Sequence, residues 1–323
     1  MLKTFRRNMV LQLIIIVATT VLFWLPALIT GGTAGVHTFD GGPLYRLLAG
    51  WLPRRAAVII GMLLVLTEGF ILAKTLFNYK IIGQGTLLPM LLFTTAMSVG
   101  SDQLTLTPML LGLLFIALAV DQQMINTSLL SLPIGKIFGA SCLTALAALC
   151  WPPLAVFLLT IIFNMINYRQ YHLNEWIMIL LGFAAPFIIA ETYFFLNDQL
   201  LYRNYLMMYS LLDVGITIGG TTTQWVASSL FAAVFIISLA ASIMGLTSRT
   251  INFTKNVTAM ILFLFGGLAL AAYSRTLPVT PQVLAIPFAI SGTMLLIEPK
   301  RNEWCWNLVI LLVLATLIIC NYL

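Results

Sequence analysis

The sequence predicts an all-α, polytopic membrane protein: one transmembrane domain over residues 1–323, about eleven helical spans, and a surface-lying helix in the first outer loop. Three observations carry that prediction. The chain is 61% hydrophobic and only 8% charged, with a mean hydropathy of +1.03. Soluble domains carry about 25% charged residues, and no soluble core hides this much apolar surface. Apolar runs recur along the whole chain, with no polar stretch long enough to form a separate aqueous domain. Lys and Arg collect at the ends of those runs, where membrane topology requires them.

The elements follow in order. Residues 1–8 are basic and precede an apolar run, Met9 to Thr30. That run is too long for a signal-peptide core and is followed by no A-x-A-like site, so it reads as a retained first helix with a cytoplasmic N-terminus. Pro26 stands near its outer end. Gly31 to Arg55 is the first polar break and contains His37, Asp40 and six glycines. Within it, residues 43–52 place Leu44, Leu47, Leu48 and Trp51 at i, i+3, i+4 and i+7, one face of a helix too short to cross. Pro43 suits its first position, and Tyr45 and Trp51 are expected at headgroup level.

A second span runs from about Ala56 to Phe77. Residues 86–100 and 107–121 are shorter, about 22 Å of helix each against a hydrocarbon core of about 30 Å. Each begins near a proline in similar text, TLLPMLLF and TLTPMLLG. This is either chance in a Leu-rich chain, or a duplicated hairpin or broken helices of the kind that line cavities. Residues 136–150 and 152–167 flank Trp151-Pro152-Pro153 and read as two spans joined by a tight turn. Spans at 176–196, 225–247, 256–272, 281–297 and 304–321 follow, with 197–224 as a longer outer segment.

Charge supports this threading. Lys3, Arg6, Arg7, Lys74, Lys80, Lys136, Arg169, Arg249, Lys255, Lys300 and Arg301 fall inside, against Arg46, Arg54, Arg55, Arg203 and Arg275 outside. The Arg54-Arg55 pair pulls the other way. The expected location is a bacterial inner membrane, crossed many times. Nucleic acid is not an expected partner, because no basic patch carries interleaved aromatics. The four cysteines form no CxxC and read as small buried hydrophobes, so no metal site is expected.

Candidate chemistry is sparse. Ionisable groups inside spans are functional candidates because desolvating a charge is costly. Glu68 is the deepest, and Glu191 lies near an outer end. Glu68 reads as a buried polar contact or as a proton or substrate contact in a cavity. Asp40, in HTFDGGPLY, reads as turn chemistry before Gly-Gly-Pro or as a general base at the membrane surface, with His37 three residues away to assist. Arg46, Arg203 and Arg275 on the same side are candidate phosphate ligands, against a plainer reading as snorkelling cations. Arg169, His172 and Glu175 are spaced by three and read as a topology and capping device rather than a metal site. No GxGxxG, Walker loop, HExxH or nucleophile elbow occurs, and the chain specifies no cofactor.

Two resemblances rest on these residues. The short spans, WPPL (151–154), NYRQYHLNEW (167–176), LLGFAAPFIIAETYFFLND (180–198) and FDGGPLY (39–45) resemble an uncharacterised family of polytopic membrane proteins from Bacteroidetes. That resemblance implies no activity. A first helix, an outer loop bearing an acid and then an interfacial helix is similar to the multi-span (GT-C type) glycosyltransferases that use polyprenyl-phosphate sugars. That likeness implies a catalytic aspartate at Asp40 and a lipid-linked substrate at the outer face. The chain departs from the pattern at Gly41, where many such enzymes carry a second acid, and in having no soluble outer domain. The alternatives are a transporter with a site around Glu68 and a non-enzymatic subunit of an envelope complex.

Overall fold

The computed structural model describes residues 9–31, 41–82, 86–99, 104–124, 132–212, 217–218, 222–244, 251–274, 276–277 and 281–297. Its helices are α1 (Met9–Thr30), α2 (Pro43–Ala49), α3 (Arg54–Asn78), α4 (Leu88–Met97), α5 (Pro108–Gln122) and α6 (Ile134–Cys150). They continue as α7 (Leu158–Asn167), α8 (Leu173–Leu196), α9 (Leu200–Leu212), α10 (Thr222–Met244), α11 (Ile251–Ser274) and α12 (Ala285–Ile297). Two-residue strands β1 (Thr217–Ile218) and β2 (Thr276–Leu277) pair in parallel.

Three helices, α1, α3 and α8, are long and apolar enough to cross a membrane. The shorter ones are equally apolar, and large side chains stand in the open: Ile189 of α8 is 71% exposed. An aqueous surface does not carry an unbroken cover of this kind. The protein is a membrane-embedded helical bundle.

The centre of the bundle is α4. All ten of its residues are buried, and it packs against α1, α3 and α12. Helix α3 turns one face inward at Val58, Gly61, Val65, Glu68, Leu72 and Thr75, all buried, a 3-4 spacing that keeps one stripe toward α4 and α5. Gly61 and Gly69 make that approach possible. A Cβ on Gly69 would lie 3.3 Å from the Met90 backbone, and one on Gly61 3.1 Å from the backbone at Thr105 and Leu106. Both proline-headed segments are therefore helices of the interior. Pro89 and Pro108 occupy first-turn positions, where no backbone donor is lost, and the Thr107 side chain caps α5 by accepting from the Leu110 N–H at 3.1 Å. Around this centre α5 packs on α6, α6 on α8, α7 on α11 and α10 on α12.

Several sequence expectations change in three dimensions. The helix predicted over 43–52 ends at Ala49, so Trp51 leaves it, although Leu47, Leu48 and Trp51 are all exposed. Tyr45 faces the bundle rather than its surroundings. Its side chain is buried, and its hydroxyl donates to the Leu106 carbonyl at 2.7 Å, pinning α2 to the bundle. Burial raises the Tyr45 pKa above the usual tyrosine value, so the hydroxyl stays a donor. Tyr45→Phe leaves that carbonyl unpaired. We expect a loss of about 1–3 kcal/mol, read as a lower unfolding temperature in detergent; an unchanged midpoint would remove Tyr45 as the anchor.

The 197–224 segment contains α9 and the start of α10. Leu200, Leu201 and the aromatics after them form a short helix that also carries Arg203 and Asn204. Cys150 and Trp151 end α6, and Pro152–Phe157 form a 3-10 turn before α7, so the two-span reading of this stretch meets two separate helices. Arg169, His172 and Glu175 do not share one helix. Arg169 sits in a left-handed turn with φ 57°, and His172 is the N-cap of α8. The Glu175 carboxylate accepts from the His172 N–H at 3.2 Å and from Gln170 Nε2 at 3.2 Å, which is a capping arrangement.

Candidate functional site

A backbone bond, besides that of Tyr45, holds the first loop to the bundle. The Gly42 N–H donates to the Cys150 carbonyl at 2.8 Å, joining the start of α2 to the end of α6. The contact is so close that a Cβ on Gly42 would fall 2.2 Å from the Leu149 carbonyl oxygen. Glycine is required here for proximity, since its φ of −64° suits any residue. Arg46 closes the turn from the other side, its Nε donating to the Gly41 carbonyl at 3.0 Å. The backbone immediately after Asp40 is thereby fixed.

Docked this way, α2 roofs an apolar groove of about 500 Å³ between α6 and α8. Pro43, Leu44 and Leu47 line it from α2, Cys142, Leu146 and Leu149 from α6, and residues from Ala185 to Phe194 from α8. At Gly182, α8 touches α6 so closely that a Cβ would lie 2.6 Å from the Phe138 carbonyl. Just beyond, Pro186 removes one backbone hydrogen bond within α8 and faces the groove, which begins at Cys142 and Ala185. The groove is open along one side, and its lining is almost wholly apolar.

Cations border it. Arg203, on α9, lies with its guanidinium carbon 5.7 Å from the ring centroid of Phe194, a groove residue, and its Nε reaches Gln199 Oε1 at 3.3 Å. Arg46 comes from α2, whose other face lines the groove. Of the three predicted phosphate ligands, Arg46 therefore stands on a helix that frames the cleft and Arg203 lies against one of its lining residues. Arg275, Asp40 and His37 lie outside the described residues. Glu191 is exposed on α8, beside but not among the lining residues.

Glu68 lies elsewhere, on the inward stripe of α3. It is fully buried, and neither carboxyl oxygen has a hydrogen-bond partner. Lys74, six residues on, is exposed.

A polar cluster at the opposite end of the bundle escaped the sequence reading. Lys136 Nζ donates to the Tyr79 hydroxyl at 2.7 Å and to the Met124 carbonyl at 3.0 Å. Tyr168 donates to the Gln123 carbonyl at 2.9 Å and reaches Asn256 Oδ1 at 3.2 Å, while Asn164 Nδ2 donates to Gln123 Oε1. Burial, and after it Tyr79, push the Tyr168 hydroxyl well above its usual range, so it remains a donor. These bonds tie α3, α5, α6, α7 and α11 together. A search for ionisable groups passes over amides and tyrosines at helix ends, yet in a bundle they are the cross-links. Among the described residues, no three His, Cys, Asp or Glu side chains gather as a metal site would require.

Comparison with known protein families, curated proteins and solved structures finds no match to this chain.

Proposed function

We propose that the chain is a bacterial inner-membrane enzyme of glycosyltransferase-like design, crossing the membrane about eleven times with a cytoplasmic N-terminus. It acts on a lipid-linked substrate, a polyprenyl-phosphate sugar, at the outer face. The observation that carries this reading is the apolar groove framed by α2, α6 and α8, with Arg203 stacked at its edge and Arg46 on its roof helix. A polyprenyl phosphate keeps its tail among apolar groups and its phosphate at headgroup depth. Its receptor must offer a carbon-lined cleft and a cation together.

In this reading the groove takes the proximal isoprenoid units, and Arg46, Arg203 and Arg275 meet the phosphate. Asp40, next to the Gly41–Gly42 anchor, takes the proton from the acceptor hydroxyl, with His37 in support. Eleven spans follow from the apolar runs and the charge asymmetry, with 304–321 as the last.

The test is occupancy of the groove. Purified protein in nanodiscs is exposed to a benzophenone-bearing polyprenyl phosphate, and cross-linked peptides are mapped by mass spectrometry. Adducts are expected on α8 between Ala185 and Phe194, and filling the cleft with Ala190→Trp should lower their yield by about tenfold, the effect of roughly 1.4 kcal/mol of lost affinity. Cross-links spread evenly over the lipid-facing helices, and indifferent to Ala190→Trp, would reject the site.

A further inference from the structure

Glu68 is a fully buried acid that the reading above does not use, and its surroundings are unusual for a carboxyl group. It is 0% exposed, and Oε1 and Oε2 both lack a donor. The helices packed on α3 are α1, α4 and α5. Over their described lengths α1 and α4 carry no titratable side chain, and α5 carries Asp121 alone. Asp121 accepts from Thr75 at 3.1 Å, two turns further along α3 and so about 10 Å away along the axis. The cations of α3 are at its ends or outside: Arg54 and Arg55 start the helix, and Lys74 is exposed. No counter-charge faces Glu68 from any of these elements.

The hydroxyls of α4, the helix packed most closely on α3, are already engaged. Thr94, Thr95 and Ser98 of α4 donate to carbonyls of their own helix, at 3.0, 2.8 and 2.7 Å. A carboxylate in this position would be an isolated buried charge, which apolar interiors do not hold; a neutral acid is tolerated at far lower cost. We propose that Glu68 is an exchangeable proton-binding site in the interior of the bundle. The proton leaves to water, the electron pair staying on the carboxyl oxygen, when α3 and α4 part at the Gly69–Met90 contact. That contact adjoins the acid in sequence, and there Gly69 places no side chain against α4. An acid that gains and loses a proton inside a membrane-embedded bundle is the chemical element of proton-coupled work. The site stands on α3 and α4 and is independent of the groove.

The test uses the full chain in liposomes and two readouts. Dicyclohexylcarbodiimide, an apolar reagent that adds to protonated carboxyls, should modify Glu68 in the wild-type protein, as mapped by mass spectrometry. The yield should fall about tenfold per pH unit once deprotonation sets in. Infrared spectra at neutral pH should show a protonated-acid C=O band that is lost in Glu68→Gln and shifts on transfer to D₂O. The mapping needs no variant, so it stands whether or not Glu68→Gln folds. An unmodified Glu68, a yield that does not change with pH, or a band that does not shift in D₂O would each overturn the proposal, the last by making Glu68 a sealed structural acid.

Discussion

Asp40→Asn is expected to lower sugar transfer by about 10²–10⁴-fold while leaving insertion, folding and lipid cross-linking unchanged. The substitution keeps the size and hydrogen-bonding shape of the side chain and removes its basicity. The backbone that follows is held without it. Gly42 is anchored to Cys150, Arg46 to Gly41, and Tyr45 to Leu106. The N-cap of α2 is Gly42, with no side-chain cap. The measurement is turnover of a polyprenyl-phosphate sugar by matched amounts of wild-type and variant protein in nanodiscs. Equal turnover would strip Asp40 of the base role. Loss of cross-linking together with turnover would mean that Asp40 holds the loop rather than the proton.

Gly42→Ala should have the largest structural effect of any single methyl added near the groove. The new Cβ would lie 2.2 Å from the Leu149 carbonyl oxygen and 2.9 Å from its carbon, both backbone atoms at the end of a packed helix. A flexible side chain can swing aside, but the last turn of α6 cannot. The start of α2 must therefore lift. Overpacking of this kind costs about 1–3 kcal/mol. Lifting also strains the Gly42–Cys150 bond and the Tyr45–Leu106 bond, and each buried donor or acceptor left unpaired costs about 1–3 kcal/mol more. The expected result is a lower unfolding temperature together with fewer lipid adducts on α8, because the groove loses its roof. A Gly42→Ala protein that melts and cross-links like wild type would show that α2 is not docked at this point.

These two expectations draw on different levels of the molecule. Asp40 was visible as a candidate in the sequence because an acid in a loop between an apolar helix and a short amphipathic run is chemically conspicuous. The role of Gly42 was not, since the GG before Pro43 reads as turn chemistry. Its reason for being glycine is a carbonyl more than a hundred residues away. The same contrast holds for Tyr45 and Trp51. Both are aromatic residues near an interface, and composition assigns both to the headgroups. Tyr45 turns inward because its register on α2 faces Leu106, whereas Trp51 lies past the end of the helix and stays exposed.

What the sequence determined by itself is what hydrophobicity and chain stiffness determine locally. The apolar runs, the prolines at the starts of α4 and α5, the break at Trp151 and the depth of Glu68 all follow from neighbours within a few turns. A membrane environment makes such signals strong, because each helix must satisfy its own backbone. What only the tertiary structure decided is which helices touch and where they separate. The groove exists because α2 docks over the seam between α6 and α8, and the isolation of Glu68 exists because α1, α4 and α5 bring no cation to it. Both are properties of pairs of helices distant in sequence. In an apolar chain many pairings bury the same oily surface, so the pattern along the chain leaves them undecided, and close contacts between backbones select among them.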